Sequence, residues 1–364
     1  MKRRPRIVVD ILWAACNQAI FKAVTTCIYY FGFVKLFGSF VDRFYCKGGP
    51  ENPRFPFVTR RESRSLQILV YHKVNDEQDS FFPATPIGVF GEQMKYLAEH
   101  CSVLSLEEAV SRKKNRDLPE NAIVITFDDG YKDNHLYAFP ILRKLSLPAT
   151  IFLATDAIGS GRVLWHDKVF SAFRETRARV LKGIGGSREE YSLGTVSEKL
   201  QAQSKVIKFL RSLNDNERSF WIERLIEALG SESRDLEPNL MLTWDDVKMM
   251  HQHGMSFGSH TVNHPILSKL TIEKARSEIY DSKRIIEEKL GTTVTTFAYP
   301  GGKVEDFSEE TKKIVSEAGY ACALTAIFGA NAIEQDPLEL KRGTPWEEYL
   351  PSFATKLHWY KFCH

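Results

Sequence analysis

Two pairs of polar residues in this sequence have the types and spacing of a site that does chemistry. Asp128 and Asp129 directly follow the apolar run "AIVITF", and His260 and His264 follow the run "MSFGS". Two imidazoles and one carboxylate are a common ligand set for a catalytic Zn²⁺ ion that keeps an open position for water. Because neighbouring residues at a strand end point in different directions, one acid can bind metal while the other accepts a proton from water. We therefore predict a divalent metal site, with Zn²⁺ as the preferred ion.

Each pair alone has an ordinary interpretation. Asp-Gly sequences such as Asp129-Gly130 are common in turns. A His-x-x-x-His spacing after a strand, taken alone, indicates two solvent-facing histidines. The occurrence of both pairs at predicted strand ends favours the metal site.

The elements that must position these residues alternate between strand and helix over residues 61–350. Strands such as "LQILVYH" and "ATIFLAT" are separated by helical stretches such as "TIEKARSEIYDSKRIIEEKL". This alternation predicts an α/β fold, and the number of units predicts a deformed (β/α) barrel of about seven strands. Such barrels carry their chemistry at the carboxyl ends of the strands. His72 and Gly301, which also follow predicted strands, should lie at the same rim.

The rhythm is broken in residues 156–240, which are charged and mainly helical in pattern. We predict that they form a helical insertion near the rim. Residues 46–60, with "CKGGPENPRFP", are predicted to be a linker. Residues 1–45 are predicted to be an apolar and basic helical segment, and residues 351–364 a C-terminal tail.

The N-terminal segment has three interpretations. Its basic start "MKRRPR" precedes an apolar stretch whose only charge between residues 11 and 34 is Lys22. A spanning helix would place Lys22 near the bilayer centre, at a cost of about 2.5–3.5 kcal/mol. Polar residues at helical spacing favour a helix that lies in a membrane surface: Gln18, Lys22, Thr25 and Tyr29. The third interpretation is a helix packed on the protein's own domain. The expected location is therefore membrane-associated or in the cell envelope, with the cytoplasm as the alternative.

Composition excludes some classes of protein. The formal net charge of +3 gives no reason to expect a nucleic-acid partner. The six cysteines include no C-x-x-C pair, so they predict neither a zinc finger nor a dense disulfide framework.

Several motifs together resemble one known family. "TFDDGY", "SHTVNH" and "FAYPGG", with "ILVYHKV" before them, resemble the motifs of the polysaccharide deacetylases, which carry the NodB-type homology domain of carbohydrate esterase family four. The resemblance covers about residues 60–345. It implies a metal-dependent hydrolase that removes an N-acetyl group, or an O-acetyl group, from a carbohydrate.

The resemblance also implies roles for particular residues. Asp128 matches the family's general base, and the backbone N–H of Gly301 matches the donor to the oxyanion. The residues that match the family's metal ligands are Asp129, His260 and His264.

This sequence departs from the family pattern at three places, and one of them is that no clear Asp-Trp motif follows "FAYPGG". The third motif lacks an arginine that orients the base, and Arg342 is a candidate to replace it. A late Leu-x-His that supplies the general acid is also missing. His72 is our candidate for that acid, as in the poly-N-acetylglucosamine deacetylases with "YH" on an early strand, and His358 is the weaker alternative.

Further residues are predicted to contact the glycan substrate: Tyr131, Trp165, Tyr299 and Arg342, with His166 and Asp167 as additional candidates. Because tryptophan in a helical insertion is usually a core residue, Trp165 also has that simpler interpretation. Two other functions stay open, a non-catalytic glycan-binding barrel and a deacetylase of a lipid-linked sugar.

Overall fold

The computed structural model describes residues 22, 25–26, 65–186, 189–232, 237–344 and 347–360. The predicted linker, and all but three residues of the predicted N-terminal segment, lie outside the described residues. No helix in the described ranges is both long enough and apolar enough to cross a bilayer.

The three described N-terminal residues are helical and contact the C-terminal part of the chain. The hydroxyl oxygens of Thr25 and Ser352 are 3.2 Å apart, and those of Thr26 and Tyr349 are 2.6 Å apart. The ammonium of Lys22 lies 5.8 Å from the centroid of the Tyr349 ring. At these residues the contacts are those expected for a helix packed on its own domain.

Parallel strands form the centre of the molecule. The strands are β1 (Gln67–Tyr71), β2 (Ser102–Val103), β3 (Ala122–Phe127), β4 (Thr150–Leu153), β5 (Val180–Lys182), β6 (Glu190–Ser192), β7 (Ser256–Ser259), β8 (Thr296–Ala298), β9 (Cys322–Phe328) and β10 (Leu340–Arg342). Seven of them follow one another in the order β1, β3, β4, β7, β8, β9, β10, and β2 pairs with β3. Between Leu69 and Gly343 a parallel bridge joins β1 to the residue after β10. The strands therefore form a nearly closed parallel barrel of seven strands, which confirms the predicted fold class.

Alternate strand residues face two different hydrophobic clusters. Ile123 and Ile125 pack with the surrounding helices, whereas Ala122 and Val124 belong to a second cluster with Leu340. Because side chains alternate along a strand, Asp128 continues the direction of Val124, and Arg342 continues that of Leu340. The pattern thus directs the Asp128 and Arg342 side chains to the same side of the sheet.

Helices surround the barrel. They are α1 (Ile87–His100), α2 (Leu106–Lys114), α3 (Phe139–Lys144), α4 (Trp165–Glu175), α5 (Val196–Arg211), α6 (Asp215–Leu229), α7 (Trp244–Gln252), α8 (Ile272–Leu290), α9 (Glu309–Glu317) and α10 (Leu350–Tyr360). Side chains cap the first turns of helices α2, α5, α6, α7, α8 and α9, as where the Thr271 hydroxyl accepts from the backbone N–H of Lys274. Gly291 ends α8 in the left-handed conformation, where glycine carries no steric penalty.

The segment between β4 and β7 has a hydrophobic core of its own. Helices α4, α5 and α6 bury residues such as Phe173, Leu210 and Leu225 in one cluster. The prediction of a mainly helical segment missed an antiparallel hairpin, because β5 pairs with β6 there. We call this segment the insertion.

The prediction that residues 351–364 form a C-terminal tail is wrong for the part that the structure describes, residues 351–360. Residues 350–360 form α10, and its Phe353 and Leu357 are buried in the main core. Burial of these apolar side chains against the barrel stabilises the packing of α10 on it.

Candidate metal centre and active site

Three buried side chains converge after β3 and β7. Asp129 Oδ1 lies 3.3 Å from His264 Nε2 and 3.6 Å from His260 Nε2. Ligand atoms of the three residues lie within 4.8 Å of one another. Donors held tetrahedrally at about 2.0–2.2 Å from one ion are roughly 3.4 Å apart, so these distances fit a single metal ion.

The surroundings of the three residues also fit a metal. Asp129 Oδ1 is buried and accepts no hydrogen bond from the described residues. His260 Nδ1 lies 2.7 Å from the Ala298 carbonyl oxygen, and because a carbonyl can only accept, Nδ1 carries the proton and Nε2 presents its lone pair. Burial, followed by the neighbouring Asp128 and Asp167 carboxylates, raises the pKa of Asp129 well above its ordinary value. A divalent cation would offset that cost, so the residues fit the ion that the sequence predicts.

Strained backbone brings two of these ligands into position. Asp129 has φ of 72° and His264 has φ of 55°, and Thr261 between the histidines has φ of 68°. Non-glycine residues in this region cost of order 1–3 kcal/mol each and persist only where surrounding structure holds them.

The loop that carries the two histidines is held from several sides. The Glu278 carboxylate on α8 accepts hydrogen bonds from the backbone N–H groups of Val262 and Asn263, at 2.8 and 2.9 Å. The backbone N–H of His260 donates to the Leu153 carbonyl at the end of β4. These bonds offset the strain and fix the direction of both imidazoles.

Asp128 lies beside the three residues in a different environment. Arg342 Nη1 and Nη2 donate to Asp128 Oδ1 and Oδ2, both at 2.7 Å, and both side chains are buried. Burial acts to raise the pKa of Asp128, but the Arg342 guanidinium, with smaller effects of His260 and His72, lowers it to about 2. Asp128 is therefore an ionised carboxylate at neutral pH, as a general base must be.

His72 follows β1 at the same rim. It lies close enough to Asp128 and Arg342 to interact with their charges, and the Asn134 side-chain amide donates to its carbonyl oxygen at 2.8 Å. Burial lowers the pKa of His72 to about 4, against the opposing effect of Asp128. Its imidazole is thus neutral at pH 7 in the protein alone.

Gly301 follows β8 with φ of 71°, which glycine adopts without strain. A Cβ atom there would lie 2.7 Å from Arg211 Nη2 and 2.8 Å from Asp306 Oδ2, so a larger residue would collide with this ion pair. Among the described residues, the Gly301 N–H has no hydrogen-bond acceptor. It is therefore free to donate to a ligand.

A second buried polar group faces the far side of Asp129. The Tyr131 hydroxyl donates to both oxygens of Asp167, at 3.1 and 3.0 Å, which leaves its oxygen to accept from His166 Nε2 at 3.1 Å. His166 Nε2 also lies 3.8 Å from Asp129 Oδ2. His166 and Asp167 belong to α4, so the insertion contributes side chains next to the metal triad.

Trp165 precedes these two residues and is half-buried. Its indole N–H donates to the His264 carbonyl oxygen at 3.0 Å, and the Arg218 guanidinium lies 5.0 Å from its ring centroid. One edge of the ring borders an open cavity with Arg162 and Lys168. Trp165 thus attaches the insertion to the histidine loop.

Three of the residues predicted to contact substrate are buried against protein groups: Tyr131, Tyr299 and Arg342. Tyr131 is 0% exposed and its hydroxyl is held by Asp167, so its prediction as a substrate contact is wrong. The Tyr299 ring stacks on Phe307 with centroids 4.4 Å apart, and its hydroxyl donates to the Leu338 carbonyl. Tyr299 is only 1% exposed, so its prediction as a substrate contact is wrong. Arg342 is 3% exposed and its described partners are protein groups, which fits the orienting role and not the substrate contact.

Sequence reasoning missed Glu278, Arg211 and Asp306. Each is an acid or a cation within an ordinary charged stretch, and no local pattern distinguishes it. Their importance follows only from the segments that the fold brings beside them.

Comparisons with known proteins agree with this geometry. A statistical model of a family described as polysaccharide deacetylase matches residues 115–180 and 198–323, more than half of the chain. A Bacillus subtilis protein, YxkH, whose name assigns it provisionally to the polysaccharide deacetylases, is 24% identical over 294 residues, which are 80% of this chain and 75% of that protein. The poly-beta-1,6-N-acetyl-D-glucosamine N-deacetylase of Escherichia coli K12 is 36% identical over 86 residues, only 22% of this chain and 12% of the enzyme.

Solved structures share the fold. The deacetylase PplD of Streptococcus pyogenes, determined in complex with acetate, superposes with a TM-score of 0.52 at 22% identity, covering 77% of this chain and 92% of PplD. IcaB of Ammonifex degensii gives a TM-score of 0.53 at 18% identity, covering 81% of this chain and 97% of IcaB. At these identities the superpositions establish the fold alone.

Proposed function

The chain belongs to the polysaccharide deacetylase family, and from that premise we propose that it is a hydrolase that removes acetyl groups from an N-acetylated carbohydrate with the help of a divalent metal ion. Zn²⁺ is the ion we propose, because a set of two imidazoles and one carboxylate is typical of catalytic zinc. The ligands would be Asp129, His260 and His264.

One observation supports this proposal most strongly. A buried carboxylate with an unpartnered oxygen faces two imidazoles, and an ionised carboxylate lies directly beside it. A protein that only bound glycans would gain nothing from burying these charges together, since each buried ionised group costs several kcal/mol.

The chain's own residues divide the reaction between them. When bound, the metal would polarise the acetyl carbonyl and a water molecule. Asp128 accepts a proton from the attacking water, and Arg342 holds the carboxylate in place for that step. The Gly301 N–H donates to the oxygen that becomes negative as the tetrahedral intermediate forms. The carbon–nitrogen bond then breaks, and acetate is released.

The leaving amine needs a proton, and His72 is the proposed donor. Because a pKa near 4 leaves His72 neutral at pH 7, it must gain that proton during the reaction. The proton that Asp128 takes from water is the one available at this rim. One proton of the attacking water thus moves through Asp128 and His72 to the amine, and the other leaves the acetic acid for solvent, which gives acetate and a neutral amine.

An N-acetylated amino sugar is the substrate class that we favour. The likeness over 86 residues to an N-deacetylase of poly-beta-1,6-N-acetyl-D-glucosamine supports it, although the shared part is short. A lipid-linked sugar and attachment to a membrane surface stay predictions, as does the location in the cell envelope.

Acetate release from chitooligosaccharide and from poly-beta-1,6-N-acetylglucosamine tests the proposal. We expect release by the protein with one equivalent of Zn²⁺, loss after chelation, and recovery when metal is restored. Asp128→Asn protein in the same assay controls for a contaminating enzyme. If metal-loaded protein released no acetate from any acetylated glycan, the non-catalytic alternative would replace the proposal.

A further inference from the structure

A groove of about 740 Å³ runs between the insertion and the barrel. One wall is α5 of the insertion, and the other is formed by the turns at residues 267–269 and 303–306 of the barrel. The proposed chemistry does not use this groove.

Positive side chains meet in this groove from three separate segments. Lys208 lies on α5, Lys269 on the first turn and Lys303 on the second, and all three are exposed. None of the three has a carboxylate within ion-pair distance among the described residues. The acids of the groove are Glu305 and Asp306, and Asp306 is already paired with Arg211. An excess of unpaired lysines at one place raises the local positive potential and favours an anionic ligand.

The groove reaches the candidate active site at two points. Arg211 closes one end, and its guanidinium lies against Gly301, the proposed donor to the oxyanion. Phe170 also lines the groove, and its ring centroid lies 5.6 Å from that of His166 beside Asp129. A glycan whose acetyl group occupies the site can therefore extend along the groove without leaving the protein surface.

We propose that this groove binds negatively charged sugar units next to the acetylated one, so that the preferred substrate is an anionic acetylated glycan. The inference rests on the proposed function and adds the substrate class. The three lysines contact the carboxylate groups of the bound glycan, and the Phe170 ring packs against one of its sugar rings. Lysine suits this task because its ammonium is a point charge on a flexible stem that can follow a polymer.

Two glycans chosen to carry the same number of N-acetyl groups per molecule test the inference: hyaluronan oligosaccharides, in which N-acetylglucosamine alternates with glucuronate, and shorter, neutral chitooligosaccharides. Binding is measured by calorimetry on the full chain carrying Asp128→Asn, so that turnover does not interfere. The groove variant adds Lys208→Gln, Lys269→Gln and Lys303→Gln. The matched control adds Lys95→Gln, Lys248→Gln and Lys313→Gln, three exposed lysines on the outer helices.

We expect the groove variant to bind hyaluronan about tenfold more weakly, because three exposed charge pairs are lost, and chitooligosaccharide unchanged. The control variant should bind both glycans like the parent. Added salt should weaken hyaluronan binding and leave chitooligosaccharide binding nearly constant.

Equal hyaluronan binding by the groove and control variants would overturn the inference. So would a loss of affinity for anionic phospholipid vesicles in the groove variant with unchanged hyaluronan binding, since the lysines would then serve a lipid surface. Acetate release from chitooligosaccharide by protein with native Asp128 separates the two proposals. Absence of acetate release from every acetylated glycan tested, hyaluronan oligosaccharides included, would contradict the proposed function, while the binding experiment judges the groove independently.

Discussion

Asp128 and Asp129 are adjacent in sequence and almost completely buried, yet their surroundings are opposite. Asp128 is held by the two donors of Arg342, and its pKa is lowered to about 2. Asp129 has an oxygen without a hydrogen bond, and its pKa is raised well above the ordinary value by burial, Asp128 and Asp167.

The difference shows how one fold prepares two carboxylates for different work. Asp128 has its cation built into the chain, so the structure fixes its charge. Asp129 has no cationic side chain paired with it among the described residues. It faces the imidazoles of His260 and His264, which burial keeps neutral. Neutral imidazole and carboxylate are the forms that bind metal, so the second position depends on a cation from outside.

The largest expected effect comes from removing the charge of Asp128. Asp128→Asn keeps the size of the side chain but cannot accept a proton. We expect kcat for acetate release to fall by about 10³- to 10⁴-fold, the upper range for a general base, with metal content unchanged by elemental analysis. His264→Ala is the contrasting variant and should lose both activity and metal. If Asp128→Asn lost its metal as well, the two carboxylates would not have separate roles.

Removing the internal cation should make Asp128 resemble Asp129. In Arg342→Gln the burial of Asp128 remains but the guanidinium is gone, so its pKa rises above the ordinary 3.8. A base works only when ionised. Activity should therefore fall as the pH drops through the raised pKa, and the acid limb of the kcat/KM profile should move to higher pH than in the wild type.

Arg342→Lys keeps the charge and should hold the acid limb near its wild-type position. Because an unpaired buried carboxylate is costly, Arg342→Gln should also lose about 3–5 kcal/mol of stability, which denaturant unfolding measures. An unchanged acid limb in a folded Arg342→Gln protein would show that Arg342 does not keep Asp128 ionised.

A smaller effect should come from the insertion, through His166. Its Nε2 lies 3.8 Å from Asp129 Oδ2, behind the proposed metal position. His166 hydrogen bonds to the Tyr131 hydroxyl and packs beside His264, with ring centroids 4.9 Å apart. Loss of a side chain that supports a metal ligand weakens metal binding by about 10- to 100-fold, and we expect that increase in the Kd for Zn²⁺ in His166→Ala. Competition with a chromophoric chelator measures it. His253→Ala removes an exposed histidine beside Phe139 and should not change the Kd. Equal affinities in both variants would mean that the insertion does not support the metal site.

Local pattern predicted the barrel and placed Asp128, Asp129, His260 and His264 at one rim, and the family resemblance assigned Asp129 to the metal. Buried strands such as β3 can be recognised in sequence as continuous apolar runs, and a parallel barrel brings the carboxyl ends of its strands together. These predictions needed no knowledge of which strands are neighbours.

Long-range contacts were harder to predict. Arg342 was a candidate partner of Asp128 only through the family resemblance, because the two residues are 214 positions apart and their pairing depends on the bridge that nearly closes the barrel. His166 and Asp167 reach Asp129 only because α4 packs over the rim. Tyr299 follows a strand as the other site residues do, but its ring turns into the core, and spacing alone does not reveal that direction.

The smallest expected effect is on the stability of the metal-free protein, and it concerns Asp129 directly. The folded-state pKa of Asp129 lies above its unfolded value. Its protonated form therefore contributes stability at pH values below the unfolded pKa, and that stability is lost as the pH rises through the folded pKa. Asp128, whose pKa is lowered, behaves in the opposite way, and its contribution to stability is lost as the pH falls towards 2.

The variant Asp129→Asn tests this account, because its side chain has no such proton to lose. Between acidic and neutral pH, the melting temperature of the chelated wild-type protein should thus fall more than that of chelated Asp129→Asn. Zn²⁺ at about 100 times its Kd should raise the free energy of unfolding of the wild type by about 2.7 kcal/mol and should leave that of Asp129→Asn unchanged. Parallel melting curves of the two chelated proteins across this pH range would contradict the account, because they would mean that Asp129 carries no electrostatic cost for a metal to relieve.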